Sequence, residues 1–306
     1  MTDYAIYDVF TDTAFGGNPL AVVFDADRFD DDEMQTIARE FNLSETTFVR
    51  SAEHQPHSAN VRIFTPGREL PFAGHPTVGT SIALAERRME GKLPDDGIDV
   101  VEMLEEKVGP VRCAVRLVPG EPGFAEFDLP RTSSQIEASL EPADMAAALG
   151  IGVHEIGFEN HTVSLWSAGV PFIMVPLHDL SVASKLEFNA ERWLSFAPKV
   201  DGIPADCYAY CRDGERHDAS FHARMFAPGM GIPEDPATGA AVAALSGAIQ
   251  HFDGLLDGVH PLIIEQGLEM GRPSYIHLHI ESEGGAVKGA RIGGQAVKIA
   301  SGKLEI

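Results

Sequence analysis

Alternating apolar and polar positions mark short strands through the first half of the chain. Side chains two residues apart share one face of a strand, so this alternation is typical of a sheet with one buried face. The pattern predicts strands at YAIYDVF, LAVVFDA, TTFVRSA and NVRIFT, and again at VEMLEEKVGPVRCAVRLV and AEFDL. The first half is therefore expected to be rich in β-structure.

Helical spacing of apolar residues interrupts these strands at two places. The segment DDEMQTIAREF begins with acidic residues and carries an apolar face, which predicts an amphipathic helix. The segment HPTVGTSIALAERRM, with Pro76 near its start and basic residues at its end, predicts a second helix. The central part of that second helix is small and apolar on nearly all sides, which indicates burial.

A turn-rich stretch, PRTSSQIEASLEPADMAAALG, separates the two halves of the chain and ends in a short helix stopped at Gly150. The second half then predicts strands at TVSLWSA, PFIMVPL, ADCYAYCR, SFHARMFA, SYIHLHIES and ARIGGQAVKIASGKLEI. It also predicts helices at NAERWLSFA and PATGAAVAALSGAIQHF. Because 306 residues are long for one core, we predict two domains that meet just before residue 131.

One motif occurs twice, as VRIFTPGRELPFAGHPTVGTSI and as ARMFAPGMGIPEDPATGAAVAA. Arg62 precedes Arg224 by 162 positions, and Pro76 precedes Pro236 by 160, with a two-residue slip in the loop between. A repeat of half-chain length predicts duplicated domains, since solenoid repeats have periods of about 20–50 residues. Each domain is expected to wrap a curved sheet around one buried helix.

The starts of the two buried helices are the first candidate for chemistry. The first amide groups of a helix lack partners within it, and together with the helix dipole they attract anions. If both helix starts face one cleft, they could hold a carboxylate without a basic cluster. The alternative is that the two helix ends are capped and buried apart, and the sequence leaves both interpretations open.

The two repeated helix starts differ most at one position, which is His75 in the first copy and Asp235 in the second, each before a proline. Asp is a favoured N-cap residue, so Asp235 has a structural explanation as well as a functional one. His is not a favoured cap, and a helix N-terminus keeps an imidazole neutral, so a functional role for His75 has about equal support.

Glu45 lies in the segment NLSETTFV, between a predicted helix and a predicted strand. If this segment faces inward, loss of solvent would raise the pKa of Glu45 towards the range of a proton carrier. The alternative is an ordinary loop glutamate in contact with solvent or with a backbone amide.

The charge and the cysteine count exclude several classes of function. The formal net charge of −23 and the pI of about 4.8 argue against binding to nucleic acids or anionic membranes. A small anionic substrate remains compatible, because a local site can be positive within a negative field. Three cysteines argue against a disulfide framework, and with no signal peptide evident we expect a cytoplasmic protein.

Five segments carry a family resemblance, namely DVFTDTAFGGNPLAVVFDA, NLSETTFV, FTPGRELPFAGHPTVGTSIAL, ARMFAPGMGIPEDPATGAAVAAL and IEQGLEMGRPS. Together they resemble the PhzF-like (phenazine biosynthesis isomerase) family, which has the diaminopimelate-epimerase-like fold. The resemblance implies an α+β protein of two similar, pseudo-symmetric domains, each a curved, barrel-like sheet around a central helix. It also implies that the last strand returns to the first domain, which gives residues 1–130 plus 290–306 and residues 131–289. A homodimer with its site between the domains, and with no cofactor and no metal, is expected.

The resemblance also implies roles for individual residues. It assigns the acid/base carboxylate to Glu45 and places His75 and Asp235 at the two helix starts, as the other catalytic residues. Substrate contacts are expected around those helix starts, from Gly74, Pro76, Thr77, Gly239 and Ala240. Epimerases of this fold carry one Cys at each helix start, whereas this chain has none there.

These observations lead to one hypothesis and two alternatives. The hypothesis is a cofactor-independent isomerase that uses Glu45 to move a proton on a small carboxylate-bearing substrate, of which a phenazine precursor is one possibility. The first alternative is an epimerase or racemase that uses Glu45 with Asp235 or His75. The second is a small-molecule binding protein without turnover.

Overall fold

The computed structural model describes residues 1–306 and divides them into two compact units. Unit 1 comprises residues 1–130 and 293–306, and unit 2 comprises residues 131–292. The sequence-based division places the second boundary three residues earlier, before residue 290. No helix in the structure is both long enough and apolar enough to span a bilayer.

Unit 1 consists of ten elements and the end of the last strand. In chain order they are β1 (Thr2–Val9), β2 (Asn18–Val23), α1 (Asp31–Phe41), β3 (Glu45–Arg50), β4 (Ala59–Phe64), β5 (Glu69–Leu70), α2 (Gly74–Met89), β6 (Ile98–Glu106), β7 (Gly109–Leu117), β8 (Gly123–Asp128) and the part of β19 (Ala286–Leu304) from residue 293 onwards.

The sheet of unit 1 closes on itself into an eight-stranded barrel. Strand pairing runs β1–β2–β3–β4–β6–β7–β8–β19 and returns from β19 to β1. The β2–β3 and β4–β6 pairs are parallel, and β1 pairs antiparallel with both β2 and β19. Closure removes every free edge from this ring of strands.

Helix α2 occupies the barrel interior and contacts six of its strands, namely β1, β2, β3, β6, β7 and β8. Most of its residues from Gly74 to Ala85 are buried, as its small apolar sequence predicts. At Gly79 a Cβ atom would lie 2.6 Å from Leu20 Cδ2 and 2.7 Å from Val9 Cγ2, so only glycine allows this approach of helix to strands.

Helix α1 packs on the outside of the same barrel. Asp30 and Glu33 form a reciprocal capping box at its start, and Asn42 in the left-handed conformation ends it. Its buried residues Met34 and Ile37 belong to a cluster with Phe48 from β3 and other apolar side chains. The structure confirms the predicted bounds of this helix.

Unit 2 contains the remaining elements. They are β9 (Ser134–Ile136), α3 (Pro142–Leu149), β10 (Ser164–Ser167), β11 (Pro171–Pro176), α4 (Leu180–Ser184), α5 (Ala190–Phe196), β12 (Lys199–Val200), β13 (Ile203–Pro204), β14 (Asp206–Arg212), β15 (Phe221–Ala227), β16 (Ile232–Asp235), α6 (Gly239–Asp253), β17 (Gly258–Gln266), β18 (Ser274–Glu283) and the start of β19.

Helix α6 is the counterpart of α2, since all its residues from Gly239 to Gln250 except Ala240 are buried and it contacts β9, β10, β11 and β18. Gly247 allows close contact with Trp166 on β10, because a Cβ atom there would lie 2.7 Å from the indole ring. The short helices α3, α4 and α5 contribute to a separate apolar cluster that includes the fully buried Trp193.

The sequence repeat corresponds to repeated contacts within each unit. In unit 1 the Arg62 guanidinium binds both carboxylate oxygens of Glu69, and in unit 2 Arg224 binds both oxygens of Glu234 in the same way. Glu105, at the end of β6, accepts hydrogen bonds from two successive backbone amides, and Glu265 near the end of β17 does the same.

The two buried helices begin at different places, which corrects the sequence-based assignment. Helix α6 begins at Gly239, so its N-cap is Thr238 and Asp235 instead ends strand β16. A proline disfavours the helical conformation in the residue before it. Asp235, which precedes Pro236, is accordingly extended opposite Met225 of β15. Helix α2 begins earlier relative to its proline, with Ala73 as N-cap and His75 inside the first turn.

The close contact at Gly79 generates a prediction for stability. Substitution of Gly79 by Ala should lower the free energy of unfolding by about 1–3 kcal/mol, because the added methyl group overlaps Leu20 and Val9. This cost should exceed the helix-propensity gain of about 1 kcal/mol. Urea unfolding of both proteins measures the difference.

The matched control for this substitution is Gly67→Ala. A Cβ atom at Gly67 would have Thr65 Oγ1 as its nearest neighbour, at 3.8 Å, so little change in stability is expected. A Gly79→Ala protein as stable as the wild type would show that the helix can move away from β1 and β2 without cost.

Candidate active site

Glu45 and His75 come together inside unit 1. Glu45 is the first residue of β3, and His75 is the second residue of α2. His75 Nε2 lies 3.1 Å from Glu45 Oε2, with 6% of the histidine side chain and 12% of the glutamate side chain exposed. Two of the three predicted catalytic residues therefore form one buried pair.

Buried threonines fix β3 against α2 and so fix this pair. Thr47, two residues after Glu45, has its hydroxyl 2.9 Å from the hydroxyl of Thr80, two turns into the buried part of α2. Both threonines are fully buried. These two threonines were not predicted as site residues. The signal that could have identified them is a threonine at an otherwise apolar position, both in a strand and in a buried helix.

Burial lowers the pKa of His75 to about 3, because the imidazole has left water for the barrel interior. The ring is therefore neutral at physiological pH. A neutral imidazole has one nitrogen that donates a hydrogen bond and one that accepts. The tautomer of the ring decides whether His75 Nε2 presents a donor or an acceptor to Glu45, and neither form adds a positive charge to the site.

Asp235 occupies an equally defined place in unit 2. It is 9% exposed, and Thr238 donates its hydroxyl hydrogen to Asp235 Oδ2. Gln266 holds both residues, since its Nε2 donates to the Asp235 carbonyl at 2.7 Å and to Thr238 Oγ1 at 3.1 Å. The Tyr208 hydroxyl donates to Gln266 Oε1 at 3.2 Å and completes the chain.

Neither buried helix receives a cap from its own N-cap side chain. Ala73 has no side-chain acceptor, and Thr238 directs its hydroxyl to Asp235. By contrast, α1 is fully capped by Asp30. Both buried helices also lack acidic residues in their own first turns, and the carboxylates beside the two helix starts are those of Glu45 and Asp235.

The predicted substrate-contact residues lie at these helix starts, with Gly74, Pro76 and Thr77 in the first turn of α2 and Gly239 and Ala240 at the start of α6. Within the protein, the Thr77 hydroxyl contacts the Ala73 carbonyl and the Glu106 carboxyl group. Contact of these five residues with a substrate remains a prediction.

None of the three cysteines lies at a helix start. Cys113 lies on β7, and Cys207 and Cys211 lie on β14, all three buried and free. Burial raises the pKa of Cys113 to about 12, so its thiol is protonated. Two-base racemisation by thiols would require a cysteine at each helix start, and neither helix start of this chain has one.

Glu159, His161 and Asp253 in unit 2 each place one potential metal ligand within 4.8 Å of the others. Arg212 binds Asp253 and Glu159, each at 2.7 Å, while His161 Nε2 lies 2.8 Å from Asp253. The guanidinium group already supplies the positive charge that these carboxylates require, so the cluster is explained as an ion-pair network.

Comparison with known proteins identifies the family. The phenazine biosynthesis-like (PhzC-PhzF) family matches residues 7–302. The chain belongs to this family. It is 51% identical over 305 residues to an uncharacterized isomerase of Mesorhizobium japonicum, covering 99% of both chains. It is 32% identical over 303 residues to trans-2,3-dihydro-3-hydroxyanthranilate isomerase of Pseudomonas aeruginosa, again covering 99% of both.

The solved structures agree with this assignment. The crystal structure of a PhzF-family phenazine biosynthesis protein from Bacillus anthracis superimposes with a TM-score of 0.85 at 27% identity, covering 100% of this chain and 99% of that one. The predicted α+β class with the diaminopimelate-epimerase-like fold is confirmed. The protein is an isomerase of this family.

The burial of His75 predicts its charge state in solution. The imidazole should stay neutral from pH 5 to pH 8, because its pKa is lowered to about 3. Nitrogen-15 NMR of labelled histidine, with the signal assigned through a His75→Asn variant, should show no titration of the ring in this range.

His222 provides the internal comparison for this experiment. Burial disfavours its charged form, but hydrogen bonds to Glu265 and Glu269 outweigh burial and raise its pKa to about 9. It should remain cationic over the same range in which His75 remains neutral. A titration of His75 near pH 6.5 would contradict the buried, neutral pair.

Proposed function

We propose that the protein catalyses a cofactor-independent proton shift on a small carboxylate-bearing substrate, with Glu45 as the acid and base. The observation that carries this proposal is the buried contact between Glu45 and the neutral His75. An isomerase that only moves a proton needs one group that accepts a proton from carbon and returns it to another carbon.

In the proposed reaction, Glu45 as a carboxylate removes a proton from a carbon next to a carboxylate or conjugated system. The electron pair of the broken C–H bond shifts into that system, and the protonated Glu45 then delivers the proton to a second carbon. No atom is gained or lost. His75 stays neutral throughout, so it does not compete with Glu45 for the proton.

The helix starts are proposed to bind the negative charge of the substrate. The first turn of α2 contains no acid and no side-chain cap, so its dipole and amides favour an anion. The same features stabilise the negative charge that develops as the proton leaves carbon. We assign Asp235, held by Thr238 and Gln266, the role of binding an amine or hydroxyl of the substrate.

The substrate class is supported by the relative from Pseudomonas aeruginosa, whose name gives trans-2,3-dihydro-3-hydroxyanthranilate as its substrate. Such a molecule carries a carboxylate, an amine and a hydroxyl group, which correspond to the groups proposed above. We therefore propose this compound as the first substrate to test.

Substitution of Glu45 by Gln tests the central role. Turnover should fall by about 10²–10⁴-fold, because general acid–base catalysis contributes about that much and an amide cannot accept the proton. The reaction is followed by the conversion of trans-2,3-dihydro-3-hydroxyanthranilate in deuterated water. The position and stereochemistry of deuterium in the product distinguish a proton shift from inversion at one carbon.

Glu40→Gln on the exposed side of α1 is the matched control and should keep wild-type turnover. If Glu45→Gln retained activity within about tenfold of wild type, Glu45 would not be the proton carrier. If the wild type left this compound unchanged, native mass spectrometry of the purified protein would identify the bound ligand for the same comparison.

A further inference from the structure

A buried glutamate without a cationic partner lies beneath the first turn of α2. Glu106 is the last residue of β6 and is 7% exposed. Its Oε1 lies 2.8 Å from the hydroxyl oxygen of Thr77, and its Oε2 is buried with no hydrogen-bond partner. A buried carboxylate with one uncompensated oxygen is costly, whereas a neutral carboxylic acid in the same place is not.

The hydrogen-bond geometry of Thr77 indicates which form is present. Its hydroxyl oxygen lies 2.8 Å from Glu106 Oε1 and 2.8 Å from the carbonyl oxygen of Ala73. The hydroxyl has one hydrogen, and a carbonyl can only accept. With Glu106 ionised, Thr77 must share its one hydrogen between two acceptors, whereas both contacts are full hydrogen bonds when Thr77 donates to Ala73 and Glu106 donates to Thr77. That arrangement requires a proton on Glu106.

The duplicated half of the chain has an amide at the same position. Gln266 follows Glu106 by 160 positions, the offset that also relates Pro76 to Pro236. Gln266 donates through Nε2 to a threonine hydroxyl at the start of its own buried helix, that of Thr238. A protonated glutamate and a glutamine are nearly isosteric and are both neutral donors, so the two units use the same support.

Glu106 lines a cavity that also holds Arg50, Arg62 and Lys107, but it forms no ion pair with them. The titratable side chain in the first turn of α2 is His75, which is neutral and lies 3.1 Å from Glu45. The ionisable group that faces Glu106 from β7 is the Cys113 thiol, which is itself protonated, and Asp128 at the end of β8 acts on the same thiol. Burial raises the pKa of Glu106 to about 8, even when the contact with Thr77 is counted as stabilising the carboxylate.

We infer that Glu106 is a positioning residue, a neutral carboxylic acid that holds the first turn of α2 through Thr77 as Gln266 supports α6 through Thr238. Its ionisation in mildly alkaline solution places a negative charge at the end of α2 that attracts anions. This charge weakens binding of an anionic substrate there, a consequence that rests on the proposed function. The assignment of a neutral Glu106 does not rest on it.

The variant Glu106→Gln tests this inference through stability. Below about pH 4.5 the folded and unfolded chains both carry the proton. As pH rises from about 4.5 to about 8, the unfolded chain releases the proton while the folded chain keeps it, so the wild type loses stability. The unfolding equilibrium constant of the wild type should rise about tenfold per pH unit relative to Glu106→Gln, then level off.

Glu105→Gln is the matched comparison from the adjacent residue. The backbone amides of Glu53 and His54 and the His57 ring lower the pKa of Glu105 to about 2, against the effect of burial. Its pH dependence should therefore have the opposite sign, with stability relative to the variant lost as the solution becomes acidic. The two glutamates together separate a specific effect of Glu106 from a general effect of net charge.

A second measurement observes the proton directly and does not require a stable variant. Infrared spectra of the wild type at pH 6.5 should contain a carboxylic-acid C=O band that disappears as the pH is raised through about 8. The same band should be absent from Glu106→Gln. Absence of this band in the wild type, or wild-type stability relative to Glu106→Gln that does not decline with pH, would overturn the inference.

The activity measurement tests the link to binding. In Glu106→Gln, kcat at pH 7 should be retained, and the rise of KM that the wild type shows above about pH 8 should disappear. A structural role alone would shift stability without changing the pH profile of KM. If the wild type turned over no tested substrate, the stability and infrared results would still decide the state of Glu106, so failure of the two proposals is distinguishable.

Discussion

The burial of helix α2 within a closed ring of strands is the constraint on which the rest of unit 1 depends. A helix in this position cannot satisfy the amides and side chains of its first turn with bulk water, so the protein must supply partners for them. The barrel supplies Glu106 from β6 to Thr77 in the first turn, and it brings Glu45 to the imidazole of His75. Further along the helix, Thr47 from β3 is the partner of Thr80. The reactive residues are thus fixed by the packing that makes the helix possible.

The two halves of the chain meet this constraint with different chemistry. Unit 2 relies on amide and hydroxyl groups whose hydrogen bonds have one consistent direction, from Tyr208 through Gln266 and Thr238 to Asp235. Unit 1 has an acid where unit 2 has the amide, and a histidine where unit 2 has the aspartate. The duplication preserved the support of each helix start, while the residues presented there diverged.

Much of the fold could be read from the sequence, because its local signals are strong. The bounds of α1 follow from a capping box at one end and from Asn42 in the left-handed conformation at the other. The start of α6 could not be read in the same way, because Asp-Pro is compatible both with the start of a helix and with the end of a strand. Tertiary contacts decide between them, and Gln266 fixes Asp235 in the extended form.

The candidate site was only partly accessible from the sequence. Glu45, His75 and Asp235 stood out through the repeat and the family resemblance, but Glu106 lies in VEMLEEKVG, which has the appearance of an exposed, charged hairpin. Its burial depends on the closure of the ring, which no local pattern shows. Aligning the two halves at the offset of 160 would have paired it with Gln266 and marked it as an inward position.

The closed ring also has a consequence for how the chain folds. Thr2 pairs with Leu304, so the first strand of the protein is completed by the last one. Contacts of such great sequence separation form slowly, because a long loop must close before they contribute. During synthesis β1 cannot obtain this neighbour until residues 296–304 have left the ribosome. Until then, one edge of the first strand must be protected from pairing with other chains.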